Sequence, residues 1–258
     1  MQITKTENLR VDRDGGLLRL TITRPARMNA IDLASMTEIS DVLTESATDS
    51  SIGVVVLTGE GKAFCTGADL SAGSETTPEV VMDTASRMIR SVTTLPVPVI
   101  ARINGPAAGV GLSLALAADL IYAAESTYLL LPFVNIGLLP DGGATAVVAA
   151  AVGRVRAAAL SLLGERLPVA EAAAAGLITR ALPDDQLDAH VDAVAVKLAN
   201  GPRRALELTK AAVNAATLTE LDAALERETG GQIELLATPD FFEGAAAMLT
   251  RRTPSFGS

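Results

Sequence analysis

The chain has 258 residues, 49% of them apolar and 20% charged, so it is globular rather than disordered and long enough for one large core. Its net charge is −9 and it has no long basic run, which argues against nucleic acid as a partner. A single cysteine, Cys65, excludes an intrachain disulfide and fits a cytoplasmic setting. The first 16 residues, MQITKTENLRVDRDGG, lack the apolar core of a signal peptide. The longest apolar stretches are interrupted by Asp119, Arg102 or glycine, so no membrane span is expected.

In chain order, LLRLTITR (17–24) alternates after the turn signal Asp14-Gly15-Gly16 and reads as a strand. IDLASMTEISDVLTESATD (31–49) has apolar residues at helical spacing, with Asp32 as candidate cap. GVVVLTGE (53–60), VPVIARIN (97–104) and DLIYAAE (119–125) are short apolar strands of the buried parallel kind. GVGLSLALAA (109–118) is apolar on every side, so as a helix it must be buried. From about residue 153 alanine-rich helical stretches dominate. A soft boundary near residue 195 separates a core, 1–195, from a helical C-terminal region, 196–258.

Generic motifs narrow the field by failing. No GxGxxG or Walker A is present, because Gly61-Lys62 runs into Ala63. With one histidine, His190, and one cysteine, no protein-only zinc site is expected. Gly111-Leu112-Ser113-Leu114-Ala115 loosely matches a nucleophile elbow, which would need His190 as base; this serine-hydrolase reading is the remote alternative.

Two glycine-rich segments, 61-GKAFCTGADL-70 and 103-INGPAAGVGLSLALAADL-120, read as loops that aim bare N–H groups into a pocket. Together with 24-RPARMNAID-32, 136-IGLLPDGGAT-145 and the closing 240-DFFEGAAAMLTRRTPSF-256, their order and spacing resemble the crotonase superfamily, the enoyl-CoA hydratase/isomerase family. The resemblance covers nearly the whole chain. It implies an α/β fold, a spiral of ββα units with a C-terminal helical trimerisation region, assembled as a homotrimer or homohexamer. It also implies an acyl-CoA thioester substrate, with coenzyme A as part of the substrate and no permanently bound cofactor.

Carried over by position, the oxyanion-hole donors are the N–H groups of Ala68 and Val110. Val110 stands where the family usually has glycine; its N–H survives, but its isopropyl group adds bulk and disfavours positive φ. Arg24, Arg27 and Lys62 flank the segments that resemble CoA-binding loops, and Thr66 and Gly67 fall on the loop that contacts the nucleotide end. Phe242, Arg251 and Arg252 lie where a neighbouring subunit's CoA site would be reached.

The departures concern the chemistry. Hydratases place one glutamate where this chain has Ser113 and another where it has Phe133. Neither a hydroxyl nor a phenyl ring titrates usefully near neutral pH, so two-glutamate hydration is disfavoured; both positions are retained as substrate-binding. Asp141, in Pro140-Asp141-Gly142-Gly143, matches a position that dienoyl-CoA isomerases and some other relatives use for chemistry, although an aspartate before two glycines and a helix is also a natural N-cap. The resulting expectation is a lyase or isomerase of this family, with isomerase or other proton-transfer chemistry favoured over standard hydration. A non-catalytic acyl-CoA-binding homologue is the alternative, favoured by Phe133 and Val110.

Overall fold

A computed structural model describes residues 2–70 and 76–257. The elements are β1 (Gln2–Lys5), β2 (Leu9–Asp14), β3 (Leu17–Ile22), α1 (Leu33–Thr48), β4 (Val54–Gly59), α2 (Pro78–Thr93), β5 (Val99–Ile103), β6 (Ala107–Ala108), α3 (Val110–Leu116), β7 (Leu120–Ala124) and β8 (Tyr128–Leu130). They continue with α4 (Ala144–Leu163), β9 (Leu167–Pro168), α5 (Val169–Ala174), β10 (Arg180–Leu182), α6 (Leu187–Ala199), α7 (Arg203–Thr217), α8 (Leu221–Leu236) and α9 (Pro239–Thr250).

The main sheet runs β1-β2-β3-β4-β5-β7-β10, antiparallel through β3 and parallel from β3 onward. A smaller sheet, β6-β8-β9, lies beside it, and an isolated bridge from Cys65 to Ala107 extends it by one position. A repeated unit follows from this. Each parallel strand, β4, β5 and β7, is followed by a short pairing segment (Cys65, β6, β8) and then by a helix (α2, α3, α4). This is the ββα spiral expected from the sequence.

Strand β4 shows why the sheet is buried on both faces. Val55 and Leu57 enter the main core with Met36, Ile39 and Leu43 of α1 and Met88, Ile89 and Val92 of α2. Val54 and Val56 point the other way, into a second core made with Leu187, Val191 and Ala195 of α6. The helix after residue 31 starts as expected: Asp32 Oδ1 accepts the Ser35 N–H at 2.9 Å.

Residue 195 lies inside α6, buried against the sheet. The helices after it fold back onto the core. Lys210 of α7 donates to the carbonyls of Val92 and Val97 and pairs with Asp119 at 2.8 Å. Helix α8 packs on α2 and α4, and α9 on the turn Phe133–Ile136. Of the described helices, α4 alone is long and apolar enough to cross a membrane by length and composition. It is broken at Gly153 (φ 76°), carries Arg154 and Arg156, and buries its first residue, Ala144, in the core.

Candidate active site

The two glycine-rich loops meet. The Ala108 N–H donates to the Cys65 carbonyl at 2.9 Å, and the Ile31 N–H to the Gly67 carbonyl at 2.9 Å. Gly67 and Gly109 both take positive φ, +104° and +55°, and a Cβ on Gly67 would stand 3.3 Å from the Ala108 oxygen and 3.7 Å from Gly109 Cα. Glycine is required there by conformation and by the closeness of the two backbones. Beyond these contacts lie Ala68, which is exposed, and Val110, the first residue of α3. Among the described residues, neither the Ala68 nor the Val110 N–H is taken up by a backbone acceptor. Val110 has no positive φ, because Gly109 absorbs the left-handed turn before it. The valine thus opens the helix without strain, its N–H one of the orphan donors of a helix N-terminus.

One residue further along α3, Gly111 faces Cys65: a Cβ there would lie 2.5 Å from both the Cys65 carbonyl oxygen and its Sγ. Burial pushes the Cys65 thiol up to about 12, so it is a packed side chain and not a nucleophile.

Ser113, 1% exposed, donates its hydroxyl to the Asp141 carbonyl oxygen at 2.7 Å. It joins α3 to the segment before α4. The nucleophile-elbow reading fails on this geometry. Ser113 sits within α3 on one face of the sheet, while His190 of α6 packs edge-on against Tyr122, in the core on the other face. Phe133 starts the turn before α4, and its ring tip lies 3.9 Å from where a Gly109 Cβ would be, beside the Val110 backbone.

Asp141 is not an N-cap. The cap of α4 is Gly143, and no side chain of the preceding segment reaches the helix N–H groups. The Ala144 N–H donates to the Asp141 backbone carbonyl at 3.3 Å, and the neighbouring donors go to Glu228 of α8: Oε2 accepts the Gly143 N–H at 2.6 Å, and Oε1 accepts the Thr145 N–H at 2.9 Å and its hydroxyl at 2.5 Å. The Asp141 carboxyl is held from the same helix, Gln232 donating its amide to Oδ2 at 2.8 Å. The second oxygen, Oδ1, is buried with no hydrogen-bond partner, and so is Gln232 Oε1. Burial, against the Gln232 bond and reinforced by the Glu228 charge, pushes the Asp141 carboxyl up to about 7. Burial also raises Glu228, although the Thr145 and Gly143 donors act to lower it.

The cations expected near the nucleotide differ in state. Arg24 is tied to Asp69 at 2.9 Å and Asp32 at 3.0 Å, with a further bond to the Ala30 carbonyl, so it clamps the loops and is not a free cation. Arg27 and Lys62 are exposed. The Thr66 hydroxyl donates to the Met28 carbonyl at 3.2 Å. Asn29, fully buried, bonds the carbonyls of Glu60 and Ala63 and accepts the Arg24 N–H, fixing the loop at 24–31 to the loop at 60–63. At the C-terminus Phe242 is exposed, and Arg252 pairs with Glu243 at 2.6 Å.

The sequence reading did not single out Asn29, Glu228 or Gln232. The last two lie four residues apart, in line with Leu221, Ala224 and Leu225, so they are polar residues on an otherwise apolar, buried stripe. That is the signal that could have found them.

This geometry is that of a known family. The family model described as enoyl-CoA hydratase/isomerase matches residues 12–258. A probable enoyl-CoA hydratase of Rhodobacter capsulatus is 38% identical over 96% of this chain and 97% of its own length. The 1,2-epoxyphenylacetyl-CoA isomerase of Escherichia coli is 34% identical over 93% and 95%. The crystal structure of an enoyl-CoA hydratase from Mycobacterium avium subsp. paratuberculosis superposes with a TM-score of 0.93 at 46% identity, covering 98% of this chain and all of the other. With its ββα spiral and its paired glycine loops, the chain belongs to the enoyl-CoA hydratase/isomerase family, whose members act on acyl-CoA thioesters.

Proposed function

We propose that the protein is an acyl-CoA isomerase or related proton-transfer enzyme, with Ala68 and Val110 as oxyanion-hole donors and Asp141 as the proton carrier. The observation that carries this reading is the Asp141 carboxyl: buried, relieved of capping duty by Glu228, and holding one oxygen without a partner. The positions of the two hydratase glutamates hold Ser113, whose hydroxyl is engaged by the Asp141 carbonyl, and Phe133, so neither can activate water.

On a 3-enoyl-CoA, the Asp141 carboxylate takes a proton from the α-carbon. The C–H electron pair moves into the conjugated system and the negative charge settles on the thioester oxygen, between the two N–H donors. The protonated Asp141 then returns the proton to the γ-carbon, giving the 2-enoyl isomer with no net change in atoms or charge. A carboxyl near neutral pKa suits both halves of this exchange. One relative, the 1,2-epoxyphenylacetyl-CoA isomerase, is likewise named for the isomerisation of a CoA thioester. Exposed Arg27 and Lys62 are proposed as contacts to the CoA phosphates, and Thr66 and Gly67 as part of the nucleotide loop. The lone, buried Cys65 accords with a cytoplasmic setting, and the exposed apolar Val155, Leu162 and Leu163 of α4 with homotrimer assembly.

The test is a panel of saturated, 2-enoyl and 3-enoyl CoA thioesters. Interconversion of the enoyl isomers, lost in Asp141→Asn, is the expected result; isomerisation undiminished in Asp141→Asn removes the role of Asp141. The second reading, an acyl-CoA-binding protein without turnover, draws on Phe133 lying against Gly109. It prevails if all three thioesters bind and none reacts.

A further inference from the structure

Helix α8 does two things to the segment that bears Asp141, from two residues four apart on one face. Glu228 gathers the Gly143 N–H, the Thr145 N–H and the Thr145 hydroxyl, and so fixes the backbone just after Asp141. Gln232 binds the carboxyl itself, through Oδ2 alone. Both side chains are almost wholly buried, at 1% and 2% exposure. A buried polar pair is costly unless its hydrogen bonds are met. Yet this pair leaves two acceptors unmet, Asp141 Oδ1 and Gln232 Oε1, and both belong to residues already in contact.

Two orphan acceptors in one buried contact lack a single donor. A proton on Asp141 supplies it. A primary amide can serve both forms of a carboxyl: its N–H₂ donates to one oxygen in either form, and its carbonyl accepts from the other oxygen when that oxygen carries the proton. We propose that Gln232 is the positioning residue for the proton-transfer carboxyl. It pins Oδ2 of Asp141 through its amide N–H in both protonation states, leaves Oδ1 as the oxygen that exchanges protons with substrate, and offers Oε1 as the acceptor for the proton that Oδ1 carries between the two transfers. This inference rests on the proposed role of Asp141 and adds to it the group that orients the carboxyl.

The surroundings make the effect specific. Among the described residues around Asp141, α3 offers Ser113 and α2 offers Ile89 beside Gly142, neither of which titrates. The charged group acting on Asp141 is Glu228. Removing the Gln232 donor therefore raises the Asp141 titration, and removing the Glu228 charge lowers it, so two substitutions on one helix act in opposite directions.

The experiment follows the carboxyl directly and through turnover. Infrared titration of the full-length protein, with Asp141→Asn as the subtraction reference, reads the protonated carbonyl stretch of Asp141. Gln232→Met keeps the volume and removes the amide; its titration is expected to move upward by about one to two pH units. Glu228→Gln is expected to move it downward. Exchange of the α-proton of a 3-enoyl-CoA with solvent deuterium, read by mass spectrometry, is expected to show a roughly tenfold lower kcat for Gln232→Met near neutral pH with KM unchanged. Binding of a saturated acyl-CoA by each variant verifies that it is folded. Movement of both titrations in the same direction, or a Gln232→Met profile that matches the parent, overturns the positioning role even if Asp141→Asn is inactive. Full exchange in Asp141→Asn overturns the Asp141 reading itself. If Gln232→Met does not fold, Gln232→Asn, whose amide is one methylene short of Oδ2, decides: a titration and kcat equal to the parent's overturn the proposal.

Discussion

Lys210 of α7 lies 2.8 Å from Asp119, and the same ammonium donates to the carbonyls of Val92 and Val97. Asp119 also accepts the Val99 N–H at 2.7 Å, so one lysine closes α7 over the start of β5. Burial pushes Asp119 up and Lys210 down in spite of their mutual attraction. The pair is therefore a fastening that is dangerous to half-remove. Lys210→Met is expected to lower stability by about 3 kcal/mol, because it strands two carbonyls and a carboxylate. Chemical denaturation of the single variant and of Lys210→Met with Asp119→Asn checks this; the double variant is expected to recover part of the loss.

The buried Asp141 makes stability depend on pH. Its carboxyl titrates at about 7 in the folded chain against an ordinary 3.8, so the folded state holds the proton more tightly than the unfolded one. The resulting stabilisation is complete below 3.8 and is lost as pH rises through about 7. Asparagine carries no charge in either state. Asp141→Asn is therefore expected to gain stability over the parent progressively between these limits, by a few kcal/mol at the alkaline plateau. Urea denaturation at about pH 5 and about pH 8 measures the difference; a gain that is larger at the acid end contradicts the assignment.

The Val110 donor can be deleted almost alone. Val110 is the first residue of α3, a position whose N–H has no intrahelical acceptor and where proline is well tolerated. Val110→Pro is expected to lower kcat for enoyl isomerisation by roughly a hundredfold or more, with a much smaller change in melting temperature. Comparable losses of rate and of folded protein would place Val110 in the scaffold and not in the oxyanion hole.

Gly111 is a packing glycine. Its α-carbon passes so close to Cys65 that an added methyl would meet both the carbonyl oxygen and Sγ at 2.5 Å. Gly111→Ala is expected to cost at least 1–3 kcal/mol. Adding Cys65→Ala is expected to rescue little, because the carbonyl clash is as severe as the one with sulfur; thermal melts of the single and double variants check this.

Much of the architecture was legible because it rests on local rules. The apolar run of β4, buried on both faces, the Asp32 cap and the all-apolar helix at 109–118 each follow from hydrophobic pattern and capping chemistry, and all three are present. The glycine loops were legible because positive φ and close backbones leave glycine little competition. Asp141 was legible as a candidate proton carrier, but its release from capping was not, because its position before two glycines equally suggests a cap. That job is done by Glu228, 85 residues along the chain from Gly143, whose N–H it accepts, and no spacing rule reports a partner so distant. The ion pairs of Arg24 were not legible for a similar reason. Its partners Asp32 and Asp69 are brought to it by the pairing of Ile31 with Ala68, a contact that exists only once the loops have folded together.

Cys65 has a practical consequence. It is the chain's single cysteine, enclosed behind Gly111, and its thiol is held almost wholly protonated at neutral pH. The native fold is thus silent toward maleimides and disulfide reagents. A cysteine introduced on any exposed helix becomes the one addressable position, so spectroscopic probes or cross-linkers can be attached singly with Cys65 left in place.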